Sequence, residues 1–294
     1  MPGQGHPRGS TSLWLLVCAG LCSCWGRPAD TLVVCHNAHC AEPTNPFQDD
    51  KLSSLDESLA LTYQGRPLLD GMELDLLWEA ETEESVGRCL FAHDRDHARP
   101  AVDALVAAEV IARYLEQPGE ISWNGEIFLL RLELKGKVAR LQKGADEIPA
   151  LDLAGCALDL HEVFYGAALR AGRQIEVIFD SSNPAVLRSL LDNDRFSSRP
   201  PDGNLQTALS ADFYDSTPSG LALQRLRDFP AVDDVVFHGG WIREGHYQLF
   251  RALGLDLTLW MYSATADNLS AIERLRPRAV LTSEATVLRR WLGH

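Results

Sequence analysis

The chain alternates short runs that are apolar at every second position with longer stretches whose apolar residues recur at helical spacing. The period of two predicts strands at residues 32–36, 71–77, 127–135, 174–180, 205–210, 234–238, 257–262 and 279–282, with an extra short run at 88–92. The helical spacing predicts helices near 51–63, 102–115, 154–171, 184–191, 219–228, 243–253, 268–275 and 284–292. The fifth strand has the weakest pattern, because "LQTALSADF" also reads as loop or helix. Strands that alternate with helices imply a parallel sheet. Eight such units predict an α/β fold of the (β/α)8 TIM-barrel type, a single domain over residues 27–294.

A parallel strand buried on both sides is ordinarily apolar on both faces, and several of these strands are not. In "LLRLELKG", Arg131, Glu133 and Lys135 share one face and Leu130, Leu132 and Leu134 the other. In "GMELDLLW", Glu73 and Asp75 stand together against Met72, Leu74 and Leu76. In the first strand, Leu32, Val34 and His36 share a face, which turns Cys35 outward. Charges on an inward face are expensive unless they are paired or hold a metal. They lie late in their strands, and the C-terminal ends of barrel strands are where active sites form.

Composition narrows the setting. The 294 residues are 46% hydrophobic, enough for a large core, and carry a net charge of −14. Such a surface argues against a nucleic-acid partner. Arg8 precedes the apolar run 13–25, "LWLLVCAGLCSCW", which has the length of a signal-peptide core. Residues 1–26 are therefore read as a signal peptide, and the protein as secreted or periplasmic. "LCSC" offers the alternative of a lipid anchor on Cys24. Of seven cysteines, Cys35, Cys40, Cys89 and Cys156 remain in the mature chain, where three pairings are open; a bond from Cys40 to a cysteine such as Cys89 would brace the pocket rim. A zinc knuckle in "CHNAHC" lacks four well-spaced ligands.

The chemistry-bearing residues then fall into order. His36 ends the first strand, Glu73 and Asp75 lie on the second, His93 follows "CLFA", and Glu133 and Lys135 close the third. Three carboxylates suit one hard divalent cation, Mg²⁺ or Ca²⁺. Two histidines can serve as general base and general acid, and a lysine can hold a phosphate oxygen. The competing explanation for Glu73 and Asp75 is an ion pair with Arg131 or Lys135.

This order resembles the glycerophosphodiester phosphodiesterase superfamily of metal-dependent (β/α)8 barrels, which includes the spider-venom type sphingomyelinase D enzymes. Its His-Arg-Gly strand end is matched by "CHNAHC", its Glu-x-Asp by "MELDLLW", its His-Asp by "LFAHD", and its Glu-Leu-Lys by "LELKG". The tail from "GLDLTLWMYS" to "LTSEA" is also similar to the family's, so the resemblance covers the mature chain. It implies His36 and His93 as the acid/base pair and Glu73, Asp75 and Glu133 as ligands of one divalent cation. Lys135 would neutralise the phosphoryl group, and Trp260 would line the pocket floor. Asn37 stands where the family has arginine, and Arg131 is the candidate substitute. His238, at the end of the sixth strand, is placed to line the substrate pocket. "AEPTN" departs from the family's Pro-Glu-Asn-Thr, and Ser283-Glu284 stand where Asp-x-Pro is usual.

Three functions follow as expectations. The first is a secreted phosphodiesterase acting on a glycerophosphodiester. The second is a phospholipase or sphingomyelinase D-like enzyme on a phospholipid, with the membrane proximity that a lipid substrate or a lipid anchor brings. The third is a non-catalytic binding protein on the same barrel.

Overall fold

The computed structural model describes residues 31–41, 49–79, 87–93, 102–135, 150–197, 205–213, 223–238, 244–261 and 263–293. Among them, the alternating runs form nine strands of one sheet: β1 (Leu32–Cys35), β2 (Gly71–Glu79), β3 (Arg88–Phe91), β4 (Ile127–Leu134), β5 (Gln174–Ser181), β6 (Leu205–Phe213), β7 (Asp234–His238), β8 (Asp256–Met261) and β9 (Ala279–Thr282). Eight are parallel, in the order β1-β9-β8-β7-β6-β5-β4-β2. Pairing of Val34 with Gly71 and of Cys35 with Met72 brings β2 back onto β1, so the sheet closes into a barrel and leaves these eight strands without a free edge. The ninth, β3, runs antiparallel along the outer part of β2, from Leu76 opposite Phe91 to Glu79 opposite Arg88.

Period two sorts each strand between two cores. Val33, Cys35, Met72, Leu74, Leu130, Leu132, Val177 and Phe179 pack outward against the helices. Val34, Leu129, Ile178, Ala208, Val236 and Leu281 form a separate apolar cluster inside the barrel, with Trp260 packed against it. The inward face is crowded where β2 meets β4. A Cβ on Gly71 would lie 2.2 Å from the Leu129 carbonyl oxygen, so only glycine allows that approach.

Helices surround the sheet where polar caps precede apolar periodic segments. Asp103 caps Ala104–Leu115 by accepting from the Leu105 amide at 2.8 Å, and Asn183, followed by Pro184, caps Pro184–Leu191. The strand predicted at 205–210 runs on to Phe213, because Ser181 of β5 pairs with Ala211 and Phe237 of β7 with Phe213. The helix predicted at 51–63 stops at Leu59 (Leu52–Leu59), since Gln64 and Gly65 take positive φ and turn the chain into a hairpin of Thr62–Tyr63 with Arg66–Pro67. Of the helix expected at 219–228, the described part ends in a 3-10 turn at Leu226–Asp228. The leader at 1–26, with Cys24, lies outside the described residues. No helix among the described residues is long and apolar enough to cross a membrane.

Of the three open pairings, the structure takes one without a Cys40–Cys89 bond. Cys35 is joined to Cys40, and Cys89 to Cys156. The first bond closes a five-residue separation around the turn that follows β1, and the second ties β3 to helix Ala150–Ala171. Cys35 does face outward from the barrel axis, as the strand period requires.

Candidate active site

The site lies where β1, β2, β4, β5, β6 and β8 end. His36 leaves β1 as the first residue of a tight 3-10 turn, His36–Ala38. Asn37 and Ala38 both take left-handed backbone, φ 50° and 53°, which an alanine adopts at a cost of roughly 1–2 kcal/mol. The Cys35–Cys40 bond spans this turn, and the Asn37 amide donates to Glu73 Oε2 at 3.3 Å. His36 is thereby set with Nε2 3.7 Å from Glu73 Oε2 and its ring 5.4 Å from that of Trp260.

Glu73, Asp75 and Glu133 are buried, and one carboxylate oxygen from each lies within 4.8 Å of the others. They meet because β2 and β4 are adjacent, with Asp75 opposite Glu133 in register, and side chains two apart share a face. Lys135 Nζ lies 2.6 Å from Glu133 Oε1 and 3.3 Å from Asp75 Oδ1. Burial opposes the lysine charge, yet Asp75 and Glu133 outweigh it and hold the ammonium well above its ordinary pKa. Burial raises the carboxyls of Glu73 and Asp75; Asp75 and Glu133 repel Glu73 further, and Lys135 works against the shift at both. The ion-pair explanation thus holds for Lys135, but one lysine answers one charge of three and leaves two in surplus. Three hard oxygen donors around a common point are the donor set that Mg²⁺ and Ca²⁺ take.

His93 follows β3, whose antiparallel return carries it back beside Asp75: the Ala92 amide donates to the Asp75 carbonyl oxygen at 3.1 Å. His93 and His36 act on each other electrostatically. Burial lowers His36 well below the usual histidine value, and the charges of Lys135 and His93 lower it further, so the ring is neutral near pH 7.

Trp260, on β8, lines a cavity with His36, Glu73, Asp212, Phe213, Val236 and Leu281. Arg131 does not point to where a phosphate could bind. It is fully buried in the barrel interior, where its Nη2 contacts Asp234 and donates to Ser210 Oγ at 2.8 Å, while Nε stands 3.4 Å from Asp180. Asp234 in turn accepts from Ser210 and Thr258. With its guanidinium enclosed, Arg131 is a structural ion-pair centre rather than a replacement for an arginine at Asn37. His238 ends β7; its side chain lies outside the described residues.

Four acids at or beside this mouth were not singled out in the sequence. Asp180 and Asp212 end β5 and β6 on the inward face, two residues beyond Ile178 and Ser210, and the period of two could have found them. Asp49 and Asp50 precede the first helix and are far in sequence from the strand motifs, so no pattern marked them. Asp49 accepts from Asn37 Nδ2 at 3.4 Å and faces His39 Nδ1 at 3.3 Å, and His39 lies buried in the loop that follows the turn.

No family model matches the chain, and no curated protein matches it in sequence. Solved structures do match in shape. A phosphodiesterase of Oleispira antarctica, in complex with the product sn-glycerol-3-phosphate, is 12% identical with a TM-score of 0.56, over 90% of this chain and 97% of that one. A glycerophosphodiester phosphodiesterase of Parabacteroides distasonis is 11% identical with a TM-score of 0.54, over the same shares. The chain therefore has the fold of these enzymes along nearly their whole length.

Proposed function

We propose that the protein is a metal-dependent phosphodiesterase that hydrolyses a glycerophosphodiester, exported from the cell that makes it. The observation that carries this reading is the convergence of His36 with the buried cluster Glu73, Asp75 and Glu133 and with Lys135 at the C-terminal mouth of a barrel. The shared fold of enzymes named for this activity supports it. Glu73, Asp75 and Glu133 would hold one divalent cation, Mg²⁺ or Ca²⁺, which when bound supplies Lewis-acid stabilisation of charge on the phosphoryl oxygens.

The chain's own residues do the rest. Lys135 opposes the negative charge of the diester. His36, kept neutral by burial, accepts the proton of the attacking water, and Glu73 beside it steadies the imidazolium that forms. His93 protonates the departing alkoxide. Water adds to phosphorus and the alcohol leaves, giving a phosphomonoester. Trp260 packs against one side of the bound diester and excludes water there.

Incubation of the purified chain with glycerophosphodiesters and with lysophospholipids, with and without EDTA, tests this. Release of glycerol phosphate that stops with EDTA is the expected result. Turnover of lysophospholipid alone would move the substrate to lipids, and no EDTA-sensitive hydrolysis of any diester would overturn the enzymatic reading.

A further inference from the structure

Asp50 is a buried acid beside the mouth with no part in the chemistry proposed for the site. It takes left-handed backbone, φ 54°, a conformation that aspartate adopts more readily than most residues with a Cβ. Its amide donates to the Asn37 carbonyl oxygen at 3.0 Å, and the Asn37 amide donates to Glu73 Oε2 at 3.3 Å, so Asp50 is two hydrogen bonds away from the carboxylate cluster. Its side chain is buried, and neither carboxylate oxygen accepts a hydrogen bond among the described residues. It is not a cap: Lys51 holds the N-cap position of Leu52–Leu59, and no amide of that helix reaches Asp50. Asp49 beside it is satisfied by Asn37 and His39.

A buried carboxylate with no hydrogen bond is costly and calls for a ligand that answers it. The charges that act on Asp50 are those of Asp75, Lys135, Asp49 and Glu73. A divalent cation and Lys135 together balance Glu73, Asp75 and Glu133, three charges against three. Asp50 adds a fourth negative charge that this balance does not answer. It stands outside the compact cluster, which comprises only the other three acids. That places it in the surrounding ring, where a hard ion keeps its bound waters, and carboxylates in such a ring orient and tighten the site.

We propose that Asp50 is an outer carboxylate of the divalent-cation centre, accepting a hydrogen bond from water bound to the ion that Glu73, Asp75 and Glu133 hold. The inference rests on the metal reading above. It gives the turn after β1 a second purpose, since the left-handed Asn37 that orients an amide to Glu73 also anchors the backbone of Asp50.

The test is metal binding followed by calorimetry and thermal denaturation on the purified, metal-stripped chain, with Mg²⁺ and with Ca²⁺. Asp50→Asn keeps the shape and removes the charge. The metal-free variant is expected to melt higher than the metal-free wild type at pH 7.5, while its affinity for the preferred ion falls about ten-fold (about 1.4 kcal/mol). Glu57→Gln, on the exposed face of the same helix, should change neither. A folded Asp50→Asn with unchanged affinity overturns the proposal and leaves the metal site standing. A wild-type chain that binds neither ion overturns both. Asp50→Ser carries the same expectations should Asp50→Asn not fold, and failure of both to fold would make Asp50 a structural residue and overturn the proposal.

Discussion

Burial keeps the His36 imidazole neutral, and its neutrality is what lets it take a proton. Its folded pKa is depressed, so the unfolded chain gains the proton first as pH falls. The stability tied to His36 is therefore present above about pH 6.5 and lost below it. His36→Ala and His93→Ala should each lower kcat by about 10²- to 10⁴-fold with the fold intact, measured by initial rates beside circular dichroism. Asp180 behaves in the opposite sense. Burial first, against the pull of Arg131, pushes its carboxyl up to about 7. Between about pH 4 and pH 7 the folded state then binds more protons than the unfolded one, so this contribution is present at low pH and is lost as pH rises through that window. Asp180→Asn should flatten that slope and stabilise the protein at pH 8 by about 1–3 kcal/mol, read from urea melts across pH. Loss of stability at pH 8 in the variant, with the slope unchanged, would show that the pairing with Arg131 dominates instead.

At the scale of elements, two joints hold the site. One is the turn after β1, where the Cys35–Cys40 bond clasps two left-handed residues next to His36. A loop this short contributes about 2 kcal/mol through chain entropy. The double variant Cys35→Ser/Cys40→Ser should lose about that much stability and more than ten-fold in kcat, with KM little changed, because the turn that aims His36 relaxes. Equal activity in the double variant would show that hydrogen bonds alone set the turn. The other joint is β2 against β4, which brings Asp75 opposite Glu133. Gly71→Ala would press a methyl into the Leu129 carbonyl. It should cost more than about 2 kcal/mol and weaken metal binding at the far end of the same pair, with thermal melts and ion titration as the readouts.

For the whole molecule, the barrel concentrates buried acids at one mouth. With a net charge of −14, few cations are at hand to answer them. A divalent ion that binds only the folded state should stabilise it by about 2.7 kcal/mol at a hundred times its dissociation constant. Thermal melts with saturating Mg²⁺ or Ca²⁺ should therefore exceed melts in EDTA by several degrees, with the gap closing in Glu73→Gln. No gap in the wild type would count against a resident ion. Buried pairs at the opposite end of the barrel, such as Arg289 with Asp70 at 2.6 Å, carry no such surplus and serve stability.

Local pattern determined much of this molecule. The alternation of apolar and polar positions named every barrel strand, the inward turn of His36, Glu73, Asp75, Glu133 and Lys135, and hence the mouth where they meet. Side-chain direction along a strand follows from the backbone alone, so it is legible without tertiary contacts. What a charged inward residue touches is not local. Arg131 has the same parity as Glu133, yet it turns to Asp234 and Ser210, three and two strands away around the barrel. The burial of Asp50 and the return of His93 along β2 depend equally on how distant segments pack. Strand periodicity set which residues face inward; barrel closure and the loops over its mouth decided which of them share a site.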